Sequence, residues 1–446
     1  MSRYPVVLPL ALLCLSLACG KDEPEGGEHP ASDDTLEGTW RTDGYGLAVR
    51  VQGRQVELFE ITSASCLPWI SGALVDGTLP DAGFHFRVAD HQLLIEDPGT
   101  VHVTGQRAPL PEACSQPVAQ PNDPVLNFEI FWRTFAEQYA LFDLYGVDWQ
   151  ARYTQFRPRV TATTTDAELF ALLSEMLAPL TDGHIRLVAG DEVYNPKSLP
   201  ADFEDHFSDI GPYVLSHYLG GPGVTTAAEN RVAWQSLNER VGYIFLGRME
   251  KFTGDPESGV AAEVAAAGHA LDTALAALST KQALLVDVRF NPGGYDAVSL
   301  ALAGRFTDVE RTGFYKKTRT LTGFTPQREF RFAPAGARQF TRPIYLLTSG
   351  VTASAAENFT MAMRGLPNVT VMGERTMGAL SDVPTRHLPN GWEFGLSVEL
   401  YTAPDQQIYE RVGIPPGVEV PFDGAGFGQG TDRIFQAALQ RANAGG

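Results

Sequence analysis

The sequence predicts an α/β protein in which a layered core follows a small β domain and a helical segment. From Val241 onward, strand-like and helix-like segments alternate, which is typical of a layered core with a largely buried sheet. Residues 125–189 repeat apolar side chains at helical spacing. Residues 39–115 contain short alternating runs separated by Gly and Asp turns, the pattern of a small β domain.

The chain has 446 residues, too many for one hydrophobic core. We therefore predict several units: a signal peptide (1–18), a tether (19–38), a β domain (39–115), a helical subdomain (123–190), an irregular connection (191–235) and the α/β core (236–446). The net charge of −19 and the lack of any basic cluster exclude nucleic acid as a partner, because phosphate binding needs a basic face.

The N-terminus, MSRYPVVLPLALLCLSLACG, is too short to span a bilayer and resembles a bacterial lipoprotein signal. The resemblance implies cleavage before Cys19 and attachment of lipid to its thiol. We expect the polar, Gly-rich residues 19–38 to form a disordered tether. We expect an exported protein on the periplasmic face of a bacterial membrane or on the cell surface, held only by its lipid. The alternative is an ordinary signal peptide and a free periplasmic product.

Only Cys66 and Cys114 would then remain in the folded part of the chain. An exported pair of this kind suggests one disulfide, and the spacing fits no zinc site. Signatures of metalloproteases, nucleotide-binding loops, dinucleotide-binding folds and α/β-hydrolase elbows are all absent from the sequence. We predict neither a metal nor a cofactor.

Ser354 lies where a strand-like run ends and a helix begins, in LLTSGVTASAAENF. The segment from Ser354 to Glu357 fits a capping box, and these residues alone favour the cap. A serine at a helix start can also attack a carbonyl, because the helix dipole and free N–H groups favour the negative charge that develops there.

Three other segments contain groups that a nucleophilic serine needs. Gly293 and Gly294 follow a strand-like run, and their N–H groups could line an oxyanion site, although a tight turn needs the same residues. His184, in LAPLTDGH, could act as a base near neutral pH. Glu410 could orient the imidazole. Taken singly, each has an ordinary structural explanation.

In this order the segments resemble peptidase family S41, which includes the C-terminal processing proteases, the tricorn protease core and the interphotoreceptor retinoid-binding modules. The resemblance covers roughly residues 125–422 and rests on five motifs: LAPLTDGH, LLVDVRFNPGG, LLTSGVTASAAENF, VMGERTMGALSD and LPNGWEFGLSVELYTAPDQQIYERVGIPPGVEV. It implies a crotonase/ClpP-like α/β sandwich with a helical subdomain that supplies the histidine. A PDZ domain, common in the family, would not fit between Val188 and Val241.

The resemblance also implies which residues react. The processing proteases use a lysine in a GExTxGKG-like segment, but here GERTMGAL has Ala379 at that position. The tricorn-like branch uses a Ser-His-Glu triad, which implies Ser354 as nucleophile, His184 as base and Glu410 as the orienting carboxylate. The implied oxyanion donors are the backbone N–H groups of Gly293, Gly294 and Ala355.

The function predicted on this basis is a serine endopeptidase that cleaves a peptide or protein substrate through an acyl-enzyme. One alternative is a non-catalytic module that binds apolar ligands on the same fold, as the retinoid-binding modules do. A second alternative is a cell-surface scaffold whose β domain docks a partner.

Overall fold

The computed structural model describes residues 35–80, 82–97, 100–116 and 118–445. The predicted signal peptide and Cys19 lie outside these residues, as does most of the tether. In the described part of the chain, every helix is too short or too polar to cross a membrane.

The N-terminal part folds into one eight-stranded antiparallel sheet. Its strands are β1 (Gly38–Thr42), β2 (Leu47–Gln52), β3 (Gln55–Ile61), β4 (Cys66–Ala73), β5 (Thr78–Leu79), β6 (Phe84–Ala89), β7 (Gln92–Glu96) and β8 (His102–Arg107). They follow the order β4-β3-β2-β1-β8-β7-β6-β5, and Gly72 on one edge packs against Leu79 on the other, so the sheet resembles a barrel. A disulfide joins Cys66 to Cys114, with their Cα atoms 5.0 Å apart.

The helical subdomain packs against this sheet. Its helices are α1 (Pro124–Gln138), α2 (Phe142–Tyr145), α3 (Trp149–Phe156) and α4 (Asp166–Leu177). The start of α4 has a complete capping box, in which Thr165 and Glu168 each accept a hydrogen bond from the other's backbone N–H. The buried face of α4 carries leucine and methionine at helical spacing, so this helix is the one that the sequence pattern predicts most directly.

The connection predicted to be irregular contains regular structure. After β9 (Arg186–Ala189) and β10 (Glu192–Tyr194) come α5 (Ala201–Glu204), α6 (Phe207–Tyr213) and a π-helical turn (Val214–Leu219). These elements are short, and Pro212 lies inside α6, so no hydrophobic period is long enough to reveal them. No PDZ domain lies among them.

The α/β core alternates strands and helices as predicted. Its elements are β11 (Thr225–Ala227), β12 (Val232–Ser236), β13 (Val241–Leu246), α7 (Val260–Ala277), β14 (Ala283–Asp287), α8 (Asp296–Ala303), β15 (Arg311–Thr320), β16 (Gly323–Phe324), β17 (Arg328–Phe332), β18 (Ile344–Thr348), α9 (Ala355–Arg364), β19 (Val369–Gly373), β20 (Thr385–His387), β21 (Glu393–Gly395), β22 (Glu399–Thr402), β23 (Val418–Glu419), α10 (Gly424–Gly428) and α11 (Arg433–Ala444).

Two sheets enclose three of the core helices. The larger sheet has the order β11-β12-β13-β14-β18-β19-β23 and is parallel from β13 onward. The smaller sheet contains β15 with β16, β17 and β22. Helices α7, α8 and α9 pack between them, while α11 covers the other face of the larger sheet. The predicted fold class, an α/β sandwich with a helical subdomain and an N-terminal β domain, is confirmed.

Candidate active site

Two neighbouring parallel strands bring the glycine pair and Ser354 together. Strands β14 and β18 pair from Leu284 with Ile344 onward, so the loops at their carboxyl ends meet. The N–H of Ala353 donates to the carbonyl oxygen of Asn291 at 3.1 Å, which joins the two loops. Ligands of open parallel sheets bind at this end of the strands.

The backbone at Ser354 is in a conformation that a simple helix cap does not need. Its φ is 56° and its ψ is −129°, whereas a capping residue normally lies in the β region. The N–H of Glu357 donates to the Ser354 carbonyl oxygen at 2.7 Å, and the Ser354 N–H donates to Glu357 Oε2 at 3.2 Å. Such backbone strain costs about 1–3 kcal/mol and clusters at active sites.

The glycine turn lies directly against this serine. At Gly293, φ is 106° and a Cβ would come within 2.6 Å of the Ser354 Cβ, so only glycine fits. The Gly293 N–H donates to Asn291 Oδ1 at 2.9 Å and is therefore already occupied. The N–H groups of Gly294 and Ala355 have no acceptor among the described residues. Of the three backbone N–H groups predicted to bind an oxyanion, those of Gly294 and Ala355 are therefore free to do so.

His184 lies two residues before β9, which reaches the core by pairing with β21. The backbone N–H of His184 donates to Asp182 Oδ1 at 2.9 Å. Ala379 connects the histidine turn to the nucleophile: its carbonyl oxygen accepts from the Ser354 N–H at 2.7 Å, and its Cβ would be 3.0 Å from a Cβ at Gly183. The alanine that replaces the family's lysine therefore lies between Ser354 and the turn that carries His184.

Glu410 meets His184 from the loop after β22. One side-chain atom each of Asp182, His184 and Glu410 lie within 4.8 Å of one another. Glu410 Oε2 accepts from the N–H groups of Leu380 and Ser381, both at 3.0 Å. Glu410 Oε1 and His184 Nδ1 are both buried and have no partner in the described residues. A carboxylate oxygen and an imidazole nitrogen, both without a hydrogen-bond partner among the described residues, therefore lie in the same buried cluster.

Burial controls the electrostatics of this cluster. Loss of solvent lowers the pKa of His184, against the opposing effect of the Asp182 charge. Burial also raises the pKa of Glu410 well above its ordinary value, and the charges of Asp182 and Glu357 raise that pKa further. The imidazole is therefore held neutral, as a base must be. The carboxylate is poorly stabilised until a positive charge forms beside it.

Sequence reasoning did not include Asp182 among the site residues. Its carboxylate is fully buried and accepts from Tyr139 Oη at 3.0 Å and from Ser397 Oγ at 2.8 Å, besides the His184 N–H. Asp182, His184 and Glu410 have the donor types of a metal centre. The hydrogen bonds to both oxygens of Asp182 instead favour a structural carboxylate that orients the histidine turn.

Glu357 and Lys197 were also missed as parts of the site. Beyond its bond to the Ser354 N–H at 3.2 Å, the Glu357 carboxylate accepts from the N–H groups of Gly378 and Ala379, at 2.7 and 2.8 Å. Lys197 donates to the carbonyl oxygen of Met377 at 2.6 Å, and its charge contributes to lowering the His184 pKa. The capping-box motif could have indicated Glu357. Lys197 lies in the connection 191–235, where no sequence motif indicates a site residue.

Two family models match this chain. Residues 240–420 match the family model described as peptidase family S41, and residues 123–178 match the tricorn protease C1 domain. The chain therefore contains a peptidase S41 domain, preceded by a tricorn protease C1 domain.

Individual relatives are more distant. A carboxyl-terminal-processing protease of Picosynechococcus is 30% identical over 159 residues, covering 35% of this chain and 36% of that protein. Another from Synechocystis is 28% identical over 210 residues, covering 46% of this chain and 45% of that protein. This chain therefore spans less than half the length of either relative. A crystal structure of a candidate peptidase from Parabacteroides merdae matches with a TM-score of 0.62 and 28% identity, covering 73% of this chain and 98% of that one.

We predict that Glu410→Gln stabilises the protein at neutral pH. Because the native pKa of Glu410 is raised, its ionised form is costlier in the native state than in the unfolded chain. Stability is therefore lost as the pH rises from the unfolded pKa, about 4.3, through the native one. Glutamine stays neutral and still offers an oxygen to Leu380 and Ser381. We expect a gain of roughly 1–3 kcal/mol in the free energy of unfolding at about pH 7.5.

Denaturant unfolding at about pH 4 and about pH 7.5 measures this gain, which should nearly vanish at the lower pH. Glu192→Gln is the matched control, because Glu192 is exposed on β10 and its neutral replacement should leave the stability unchanged at both pH values. A Glu410→Gln protein that is less stable than wild type at the higher pH would contradict the electrostatic account.

Proposed function

We propose that this protein is a serine endopeptidase that hydrolyses peptide bonds through Ser354, His184 and Glu410. The peptidase S41 domain supports a peptide or protein substrate. The observation that carries the proposal is the backbone of Ser354, strained at φ 56°, whereas a helix cap normally lies in the β region. A cap would gain nothing from this strain, whereas a nucleophile has to be presented away from the helix.

In the proposed reaction, His184 Nε2 accepts the proton of the Ser354 hydroxyl as Oγ attacks the substrate carbonyl carbon. The carbonyl oxygen becomes an oxyanion that accepts hydrogen bonds from the Gly294 and Ala355 N–H groups. The C–N bond then breaks, and the proton on His184 moves to the leaving amine. Water hydrolyses the resulting ester by the same steps, and the serine is regenerated.

Glu410 is the better candidate than Asp182 for the third member of the triad. Both oxygens of Asp182 already accept hydrogen bonds, while Glu410 Oε1 accepts none among the described residues. When His184 becomes an imidazolium, the nearby buried carboxylate gains a positive partner. This interaction is stronger in the transition state than in the resting enzyme, which is what acceleration requires.

We expect Ser354→Ala to abolish both covalent labelling by a fluorophosphonate probe and cleavage of an unbiased peptide library. The alanine removes the only atom that can form the acyl bond, so kcat/KM should fall by roughly 10³-fold or more. Gel fluorescence after labelling, and mass spectrometry of the peptide products, measure the two effects.

Ser216→Ala is the matched control, because Ser216 is an exposed serine on the π-helical turn, which packs against α6. Its labelling and cleavage should equal those of wild type. Labelling that persists in folded Ser354→Ala would rule out Ser354 as the nucleophile. Labelling without cleavage of any peptide would leave a reactive serine but end the endopeptidase proposal.

We also propose that the protein is exported and anchored through a lipid on Cys19. The support is the signal-like sequence before Cys19 and the polar segment that follows it. Expression in a bacterial host fed a clickable palmitate analogue tests this. We expect labelled protein in the membrane fraction, and no label on Cys19→Ala. Unlabelled wild-type protein, or label that survives Cys19→Ala, would contradict the anchor.

A further inference from the structure

A cavity of about 530 Å³ opens where the open end of the N-terminal barrel meets the α/β core. On the barrel side, its walls are mostly apolar and come from several strands. This wall contains Leu47, Leu58, Trp69, Phe84, Ile95 and Val103. On the core side, residues 256–260 and 384–386 complete the walls, together with Tyr295 and Asp382. We call this cavity the barrel-mouth groove.

Two residues of the groove wall, Tyr295 and Asp382, neighbour residues of the proposed active site. Tyr295 follows Gly294 directly, is 38% exposed and anchors the glycine turn by donating its N–H to the Met249 carbonyl oxygen at 2.9 Å. On another wall, Asp382 is close enough for its charge to raise the pKa of His184. The wall of the groove therefore includes a neighbour of the oxyanion side and a neighbour of the base side of the site.

A local irregularity in the barrel directs an aromatic ring toward the groove. Strand β4 slips by one residue against β3: Leu58 faces Ile70 and Phe59 faces Pro68, which leaves Trp69 as the extra residue of a bulge. Bulges re-aim side chains and are common beside active sites. The Trp69 ring lies 6.3 Å from the Phe84 ring, and both side chains are only partly buried. Their apolar faces can still be covered by a ligand.

The barrel is fixed to the core, so the groove is already formed. Tyr45 donates its hydroxyl to Asp382 Oδ2 at 2.7 Å, and Arg386 donates to the Tyr45 carbonyl oxygen at 2.5 Å. At a second contact between barrel and core, Glu60 Oε2 accepts from the backbone N–H of His387 at 3.0 Å, and Glu60 Oε1 lies 2.9 Å from His387 Nδ1. A preformed apolar wall binds ligands without a cost for ordering the site.

We infer that the barrel-mouth groove is the substrate-binding site that selects apolar side chains of an extended polypeptide next to the scissile bond. This inference rests on the proposed peptidase function, because the position of the groove wall beside the proposed site is what identifies the occupant as a peptide. The apolar wall is a poor environment for a charged side chain, which would lose its hydration there. The N-terminal β domain is thus part of the active site.

The test uses Ser354→Ala protein, so that binding is measured without cleavage. Peptides of one length, with either two adjacent bulky apolar residues or two serines at the centre, are labelled at one end and titrated by fluorescence anisotropy. We expect the apolar peptides to bind at least roughly tenfold more tightly than the serine peptides. Adding Trp69→Ala should remove most of that difference.

Val260→Gln changes the core side of the same groove. Its effect on binding therefore does not depend on whether Trp69→Ala disturbs the folding of the barrel. Val260 begins α7, and glutamine is a good helix former, so this variant should fold and still bind apolar peptides several-fold more weakly. Phe207→Ala is the control, because Phe207 is 64% exposed on α6 and does not line the groove. We expect its binding to equal that of the Ser354→Ala parent.

The outcomes separate this inference from the proposed function. If the active enzyme cleaves peptides but neither Trp69→Ala nor Val260→Gln changes the preference for apolar residues, the groove inference is overturned and the peptidase stands. If both variants weaken peptide binding while no peptide is ever cleaved, the groove binds peptides and the catalytic proposal fails. Equal binding of apolar and serine peptides by the Ser354→Ala protein would overturn the inference by itself.

Discussion

The backbone of residues 376–381 is the constraint on which the rest of the site depends. Within this short segment, the Ala379 carbonyl oxygen holds the Ser354 N–H, and two consecutive N–H groups hold Glu410 Oε2. Two more N–H groups hold the Glu357 carboxylate at the start of α9. One strip of peptide therefore holds both the proposed nucleophile and the proposed orienting carboxylate. Fixing this backbone costs about 1–2 kcal/mol per residue, and the hydrogen bonds to the strip help to offset that cost.

Close packing keeps this strip in place. Gly378 and Gly413 both have positive φ, and a side chain at either would run into the backbone of the other loop. The Arg411 N–H donates to the Gly378 carbonyl oxygen at 2.8 Å, which ties the loop that carries Glu410 to the segment. Ala379 has only a methyl group to fit beside the histidine turn. In this arrangement a small residue at position 379 lets the turn of His184 approach the nucleophile.

Two features of the site destabilise the folded protein, and the rest of the fold has to compensate for them. Ser354 is in a strained conformation, and Glu410 is a buried carboxylate beside the carboxylates of Asp182 and Glu357. Each feature destabilises the native state, but each has a use in the proposed reaction: the strain would present the hydroxyl, and the clustered negative charge would favour an imidazolium at His184. Natural proteins accept such costs at functional sites.

Sequence reasoning predicted elements with a local pattern, and it failed where contacts span the chain. The helical spacing of α4 and the strand-turn-helix around Ser354 are both readable within a few residues. The bulge at Trp69 has no local signal, because it depends on the pairing of β4 with β3. The bond from Tyr45 to Asp382 joins residues 337 positions apart, so the groove could not be predicted without the fold.

The central claim is that Glu410, through its free oxygen, determines which nitrogen of His184 carries the proton. Nitrogen NMR of protein with labelled histidine measures this directly. We predict that the neutral ring is protonated on Nδ1. In Glu410→Gln, the side-chain oxygen stays with the Leu380 and Ser381 N–H groups, so the amide NH₂ faces the ring and the proton moves to Nε2. A ring protonated on Nε2 in the wild-type protein, or one that Glu410→Gln leaves unchanged, would contradict the account.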